Sequence, residues 1–455
     1  MSWGIWEEKA LVKPKAAIYT LGCKVNQNES DAIISTLAHA GYEEVSFEDK
    51  ADVYIINTCT VTHLADRKSR QMIRRAVKTN PRAVVAVTGC YAQTAPGEVL
   101  GISGVNLVIG TRDRHRLAEL IEEAKEGRAP INAVRDIMDA QAFEEISQEE
   151  VLPHKSRAYL KIQEGCNQYC SYCIIPYARG PMRSRPVDRV IRRAEELVAG
   201  GYQEIILTGI HTGAYGVDLA GNVDLAFLVE RLIRIEGLKR LRISSIDPHE
   251  IGERLLNVIA GSPVLCRHLH IPLQSGDDAV LQRMNRVYDT AQYAELIGGI
   301  RQRVPGIALT TDIMVGFPGE TEEEFLHSYQ FIERIDFSGL HVFKYSPRQG
   351  TPAATFPHQV APEIKESWSN KLITLGRRLL KNYAEKHIGS VLDVLVEQHT
   401  RISGQAYWEG HTDNYLHVAF PSAQDVKGQL IDVRLETYRD GFIFGHPEQG
   451  AARGL

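Results

Sequence analysis

Short apolar runs alternate with amphipathic stretches along most of this chain, and the alternation runs twice. In the first part, residues 16–20, 53–57, 83–88 and 106–109 read as strands, and 30–40 and a charged segment over 65–78 read as helices. Strands that alternate with helices build βαβ units and a parallel, doubly wound sheet. An acidic, weakly patterned stretch, 142–150, ends at Pro153 and reads as a linker. The alternation then resumes, with strand candidates at 158–162, 204–207, 240–243, 268–271, 308–313 and 339–343, and helical patterns such as 187–199 stopped by Gly200 and Gly201. Six such units suggest an incomplete barrel of the TIM type, although an open doubly wound sheet has the same periodicity. From about Leu380 the pattern becomes purely β, with runs at 391–396, 402–408, 416–420, 430–437 and 442–444 separated by Gly and Asp-Asn turns. That is a small antiparallel barrel or sandwich. The expected fold class is α/β, with domains over 14–140, 152–376 and 380–447.

Cysteines carry the chemistry. The N-terminal residues lack an apolar core behind a basic flank, and no run of about 18 apolar residues occurs. The expectation is a cytoplasmic protein with no membrane span, where structural disulfides are rare and seven cysteines read as ligands or reactive thiols. Cys166, Cys170 and Cys173 fall within eight residues, directly after a strand candidate. A barrel carries its chemistry on loops at the carboxyl ends of its strands. Three thiolates do not close a tetrahedral zinc site, which takes four ligands. They do hold a four-iron cluster with one iron left open. A zinc site completed by a distant residue, or three incidental thiols, are the other readings. Cys23, Cys59 and Cys90 are far apart in sequence, yet each lies two or three residues past a strand candidate. In an open parallel sheet those ends share the edge where ligands bind, which makes a second three-thiol site. The alternative is three unrelated core cysteines. Cys266 has no partner spacing and reads as structural.

These residues resemble a known family. The C-x3-C-x2-C run with Tyr172 before its last cysteine looks like the radical S-adenosylmethionine motif. With the preceding three-cysteine domain, the stretches LHIPLQSG (269–276) and DIMVGFPGET (312–321), and a C-terminal β domain similar to TRAM, the whole chain resembles the methylthiotransferases. The stretch over 57–76 is similar to the branch that acts on N6-threonylcarbamoyladenosine in tRNA. The other branches act on N6-isopentenyladenosine in tRNA and on an aspartate of ribosomal protein S12. A non-catalytic iron–sulfur protein that binds RNA or senses redox state is the rival of a different class.

The resemblance implies two [4Fe-4S] clusters. Cys166, Cys170 and Cys173 would hold the one that cleaves S-adenosylmethionine, and Cys23, Cys59 and Cys90 an auxiliary cluster that carries sulfur. Tyr172, Gly209, Ser244, Gln274 and Asp312 would line the S-adenosylmethionine pocket. The reaction implied is methylthiolation at C2 of a modified adenosine next to the anticodon, with S-adenosylmethionine as both radical source and methyl donor. The two sets of strand ends would face one cavity. The implied partners are a tRNA anticodon loop, an external electron donor and a sulfur donor that no motif identifies. Net charge is −5, so RNA phosphates must meet a local basic patch. Arg67, Arg70 and Arg74 share one face of a helix, and Arg183 and Arg185 follow the radical motif. An ordinary solvated face is the alternative for the helix.

Overall fold

A computed structural model describes residues 13–127, 129–146 and 156–452. They fall into two compact units, one built mainly of residues up to Ala140 and the other of the chain from residue 151 onward.

The first unit is one six-stranded sheet. Strands β1 (Lys15–Thr20), β2 (Glu43–Glu44), β3 (Val53–Thr58), β4 (Val84–Gly89), β5 (Leu107–Val108) and β6 (Ile131–Asn132) lie in the order β2-β1-β3-β4-β5-β6, every pair parallel. Successive side chains of a strand point to opposite faces. Tyr54 and Ile56 of β3 pack with Met72 and Ile73 of the helix His63–Thr79 on one face. Val53 and Ile55 pack with Ile33 and Leu37 of the helix Lys24–His39 on the other. Both faces are covered, so the strands read as continuous apolar runs. The helix after β1 begins at Lys24, earlier than the expected 30, and this places Cys23 at its N-cap.

The second unit holds a six-stranded parallel wall. Strand β7 (Arg157–Lys161) is followed by a short antiparallel pair, β8 (Gln163–Glu164) and β9 (Arg183–Ser184). Next come β10 (Glu204–Thr208), β11 (Arg240–Ile243), β12 (His268–His270), β13 (Ala308–Val315) and β14 (Gly339–Lys344). Two parallel trios, β7-β10-β11 and β12-β13-β14, are joined by parallel bridges from Leu241 to Leu265 and from Ser245 to His270. The result is the incomplete barrel rather than an open doubly wound sheet with a reversed strand order.

The C-terminal strands β15 (Val391–Ile402), β16 (Gln405–Thr412), β17 (His417–Phe420), β18 (Leu430–Arg439) and β19 (Phe442–Ala452) close a barrel in the order β15-β16-β17-β19-β18. Two expectations are corrected here. The run 402–408 is not one strand, because Ser403 and Gly404 at φ +50° and +85° turn the chain between β15 and β16. Nor is the barrel wholly antiparallel, since β17 and β19 pair in parallel to close it. The expected boundary between 376 and 380 falls inside the helix Pro362–Glu385. Trp368, Leu372, Leu375 and Leu379 of that helix belong to the large core, and Ala384 to the core of the small barrel. One helix therefore serves both. Of the expected linker, 147–153 lies outside the described residues; Glu144 pairs with Arg114 of the first unit at 3.0 Å, and Phe143 lies beneath the Lys161 ammonium of the second.

The amino-terminal ends of the wall are built from charge. Glu204 of β10 stands in register between Arg157 of β7 and Arg240 of β11. Arg242 reaches the same carboxylate, Nε to Oε1 at 2.9 Å. The arginines continue into the small barrel: Arg157 pairs with Glu397, Arg240 with Asp393 at 3.0 Å, and Arg242 donates to the carbonyls of Asp413 and Thr412 at 2.9 and 3.1 Å. Burial alone would raise the Glu204 pKa, but Arg242, Arg157 and Arg240 bring it down to about 2. A depressed carboxylate contributes stability above its ordinary pKa and loses it as pH falls toward the folded value. The shift is worth about 3 kcal/mol. Glu204→Gln should therefore lower unfolding stability in urea by about 3 kcal/mol near pH 7. The gap from the wild type should narrow as pH falls from 4.5 toward 2; a gap that stays constant over that window would contradict the ionic role.

Candidate functional site

The first unit brings Cys23, Cys59 and Cys90 together at one edge of its sheet. They follow β1, β3 and β4, three adjacent strands. The strand order reverses between β1 and β3, and the helices after these two strands leave to opposite faces. A crevice opens at such a switch point, outside the carboxyl ends. Two glycines set how closely the loops approach. At Gly22, φ +103°, a Cβ would lie 3.1 Å from Cys59 Sγ, and at Gly89, φ +94°, 2.4 Å from the Thr58 carbonyl. Only glycine combines that backbone with that approach. Asn26 ties the loops further, its Nδ2 donating to the Leu21 and Thr58 carbonyls at 2.6 and 3.0 Å. Cys59 and Cys90 are buried and Cys23 is exposed, so the site is reached from the Cys23 side.

The second unit places Cys166, Cys170 and Cys173 on the loop between β8 and the helix Ile175–Arg179, beyond the carboxyl end of β7. Gln163 staples the loop: its Nε2 donates to the carbonyls of Glu164 and Gly165, and its Oε1 accepts from the His211 backbone at 2.7 Å. Glu164 is buried between Lys161 and Arg179. Around the sulfurs stand donors. Arg286 Nη1 lies 3.2 Å from Cys170 Sγ, and the Gln168 backbone N–H 3.5 Å from Cys166 Sγ. Burial, reinforced by Cys170, pushes the Cys173 thiol up to about 12. Such a thiol ionises only with a strong positive partner, and a bound iron cluster is such a partner. Burial alone would lower the pKa of His211, yet its bonds to Cys166 and to Glu250 push it up to about 10.

The expected pocket residues divide. Tyr172 packs with Met314, Phe317 and Tyr345 beside the loop. Gly209 lies against Gln163, where a Cβ would come 3.1 Å from that side chain. Ser244 is buried, 3.4 Å from the Thr212 hydroxyl. Gln274 holds φ +69° and is tied by backbone bonds to Asp312 and Met314. Asp312 is engaged by His270 and His341. Cys266 is buried, with Arg242, Glu204 and Arg240 among its charged neighbours, and burial pushes it up to about 12.

The arginines divide more sharply. Arg67 and Arg74 are exposed on the helix His63–Thr79. Arg70 bonds the Tyr91 hydroxyl at 2.9 Å. Arg185 is half-buried over the Phe143 ring. The expectation for Arg183 is corrected: it is 4% exposed, and its guanidinium donates to the carbonyls of Pro181 and Arg179. It shapes the turn after the cysteine loop and offers nothing to RNA. Arg286 and Gln168 escaped the sequence reading because no spacing marks them. His211 does carry a signal, three residues past a strand end.

Known proteins agree with this architecture. The model of the radical SAM superfamily matches residues 160–332, and the model described as uncharacterized protein family UPF0004 matches residues 15–110. The chain is 47% identical over 92% of its length, and 93% of the relative's, to the threonylcarbamoyladenosine tRNA methylthiotransferase MtaB of Bacillus subtilis. It is 37% identical to the protein of the same name from Aquifex aeolicus, covering 92% and 99% of the two chains. It is 36% identical to a tRNA-2-methylthio-N(6)-dimethylallyladenosine synthase of Syntrophomonas wolfei, over 95% and 97%. Among solved structures, the radical S-adenosylmethionine methyltransferase TsrM of Kitasatospora setae, with cobalamin and a [4Fe-4S] cluster bound, shares the fold. Its TM-score is 0.56 at 17% identity, over 75% of this chain and 77% of that one. Two thiol sets at parallel strand ends and these full-length similarities place the chain in the radical S-adenosylmethionine methylthiotransferase family.

Proposed function

We propose that this chain converts N6-threonylcarbamoyladenosine in tRNA to its 2-methylthio derivative. The observation that carries the reading is the pair of three-thiol sets, each at the carboxyl edge of its own parallel sheet, in a chain 47% identical to a relative of that name. The enzyme uses S-adenosylmethionine and [4Fe-4S] clusters. In our reading Cys166, Cys170 and Cys173 hold the cluster that engages S-adenosylmethionine, and Cys23, Cys59 and Cys90 hold the auxiliary one. When bound, such a cluster offers an iron open to a small ligand and a one-electron route to a hydrogen-abstracting radical from S-adenosylmethionine.

The chain's own part is charge, orientation and exclusion of water. Arg286 supports Cys170 with a charged donor, and charged donors favour the thiolate that a metal requires. Gln163 and Glu164 hold the loop from beneath. Tyr172 and the apolar group around Met314 and Phe317 close one side, where a dry wall protects a reactive species from water. Arg67 and Arg74, exposed on one helix face, are the groups we assign to RNA phosphates. A base of the anticodon loop is unstacked at modest cost, which brings C2 within reach. No helix among the described residues is long and apolar enough to cross a membrane, and we place the enzyme in the cytoplasm with its tRNA and an external electron donor.

Three measurements test this. Nucleoside mass spectrometry of tRNA from cells lacking the gene should show loss of 2-methylthio-N6-threonylcarbamoyladenosine and accumulation of the unthiolated nucleoside. Loss of the dimethylallyl product instead would move the chain to the other tRNA branch. In anaerobically reconstituted protein, about eight irons per chain are expected, as two four-iron clusters require. Cys166→Ala should abolish cleavage of S-adenosylmethionine, and Cys59→Ala should stop thiolation while leaving cleavage measurable. Normal product from Cys59→Ala would remove the auxiliary role.

A further inference from the structure

The inner face of β12, β13 and β14 carries a polar cluster that neither thiol set uses. His270, Asp312 and His341 stand on the three neighbouring strands. His270 Nε2 and His341 Nδ1 lie 3.2 and 3.5 Å from one and the same oxygen, Asp312 Oδ1. Thr310 Oγ1, 3.0 Å from His270 Nδ1, turns the other ring nitrogen toward that carboxylate. Both imidazole contacts fall on Oδ1, so Oδ2 keeps its capacity to accept.

The cluster lies on the face of β13 turned away from the helices. Along β13, Leu309, Ile313 and Val315 join the core that packs on the helices, whereas Asp312 and Met314 point the other way. Met314 and Tyr172, the neighbour of Cys173, pack against the same buried group, which includes Phe317 and Tyr345. One strand repeat, about 7 Å, separates Asp312 from Met314. Side-chain exposure rises from 15% at His270 through 27% at Asp312 to 61% at His341, so the cluster opens outward. His341 also lines a cavity of about 340 Å³, whose far side is made by Asn414, Tyr415 and His417 of the small barrel.

We propose that this cluster recognises the polar N6 substituent of the substrate adenosine and so sets which modified base is thiolated. The inference rests on the reading above that the substrate is threonylcarbamoyladenosine. That substituent carries a carboxylate, a hydroxyl and a ureido group. With Nδ1 toward Asp312, the protonated His341 ring donates its Nε2–H to the carboxylate. Asp312 accepts from the ureido N–H or the hydroxyl, and His270 is a positioning residue that holds Asp312. On adenine, C2 and N6 project in different directions. With C2 toward the cysteine loop, the substituent is carried along the strands toward Asp312 and His341. An apolar dimethylallyl group offers neither side chain a hydrogen bond, and a site built to bond a polar substrate rejects such an analogue strongly.

The test uses reconstituted full-length enzyme with two tRNA substrates, one bearing N6-threonylcarbamoyladenosine and one bearing N6-dimethylallyladenosine. His341→Phe should lower kcat/KM on the first by about tenfold to a hundredfold, chiefly through KM. It should also narrow the preference over the second. His341→Gln, which keeps an N–H donor, should recover part of the loss. Unchanged kcat/KM and preference in His341→Phe would overturn the proposal. A parallel loss of tRNA-independent S-adenosylmethionine cleavage would also overturn it, by assigning the cluster to the cofactor. So would a stoichiometric divalent metal ion present in the wild type and absent from the variant. If wild-type enzyme leaves the first tRNA unthiolated and acts on the second, the substrate reading itself falls, and that outcome is visible before any variant is made.

Discussion

Chain direction in a parallel sheet puts every carboxyl end on one edge, and the chemistry of this protein depends on that edge. In the first unit it gathers Cys23, Cys59 and Cys90 from positions 67 residues apart at the extremes. In the second it sets Cys166, Cys170 and Cys173 beyond β7, with His211 beyond β10. Neither thiol set needs a special local fold. Each needs strands of matched length and loops that run close enough for sulfurs to converge. The positive φ at Gly22 and Gly89 is the local cost, and the tight approach to Cys59 and Thr58 is what it achieves.

The opposite edge of the second sheet is spent differently. Arg157, Glu204, Arg240 and Arg242 form a buried ionic row whose spare donors are taken up by backbone carbonyls and acids of the small barrel. Breaking such a group strands charges in a dry interior, so it ties the strand starts and the small barrel into one cooperative piece. The wall thus has a chemical end and a structural end, a division typical of barrels in which loops after the strands carry the catalysis.

Much of this was legible in the sequence because the deciding patterns are short-range. Alternating strands and helices, and cysteines at fixed offsets from strand ends, survive without knowledge of tertiary contacts. Apart from the local turn at Ser403-Gly404, the misplaced features depend on contacts between distant residues. The strand break at Ser403-Gly404 hid inside an apparently continuous β run, because β15 pairs with β16 through Ile402 opposite Gln405. The parallel β17–β19 pair is a consequence of barrel closure, which spacing does not encode. A domain boundary near 378 looked natural from composition. It falls within one helix, whose Leu372 and Leu379 pack on one core while Ala384, later on the same helix, packs on another.

Arginine was the least legible residue, for a physical reason. A sequence counts each guanidinium as a surface charge, yet Arg114, Arg179, Arg183, Arg240 and Arg242 are all 4% exposed or less. Each is consumed by a carboxylate or by backbone carbonyls: Arg114 by Glu29 and Glu144, Arg179 by Glu164, Arg183 by its own turn. Five donors in a rigid fork make arginine suited to closing loops from within. Density of basic residues along the chain therefore overstates the surface open to RNA. The helix His63–Thr79 is different because its apolar stripe, Met72, Ile73 and Ala76, is short and already buried, so Arg67 and Arg74 are turned to solvent by the packing of their own helix. The face that holds them outward is fixed by the same core that positions Cys59 four residues before that helix begins.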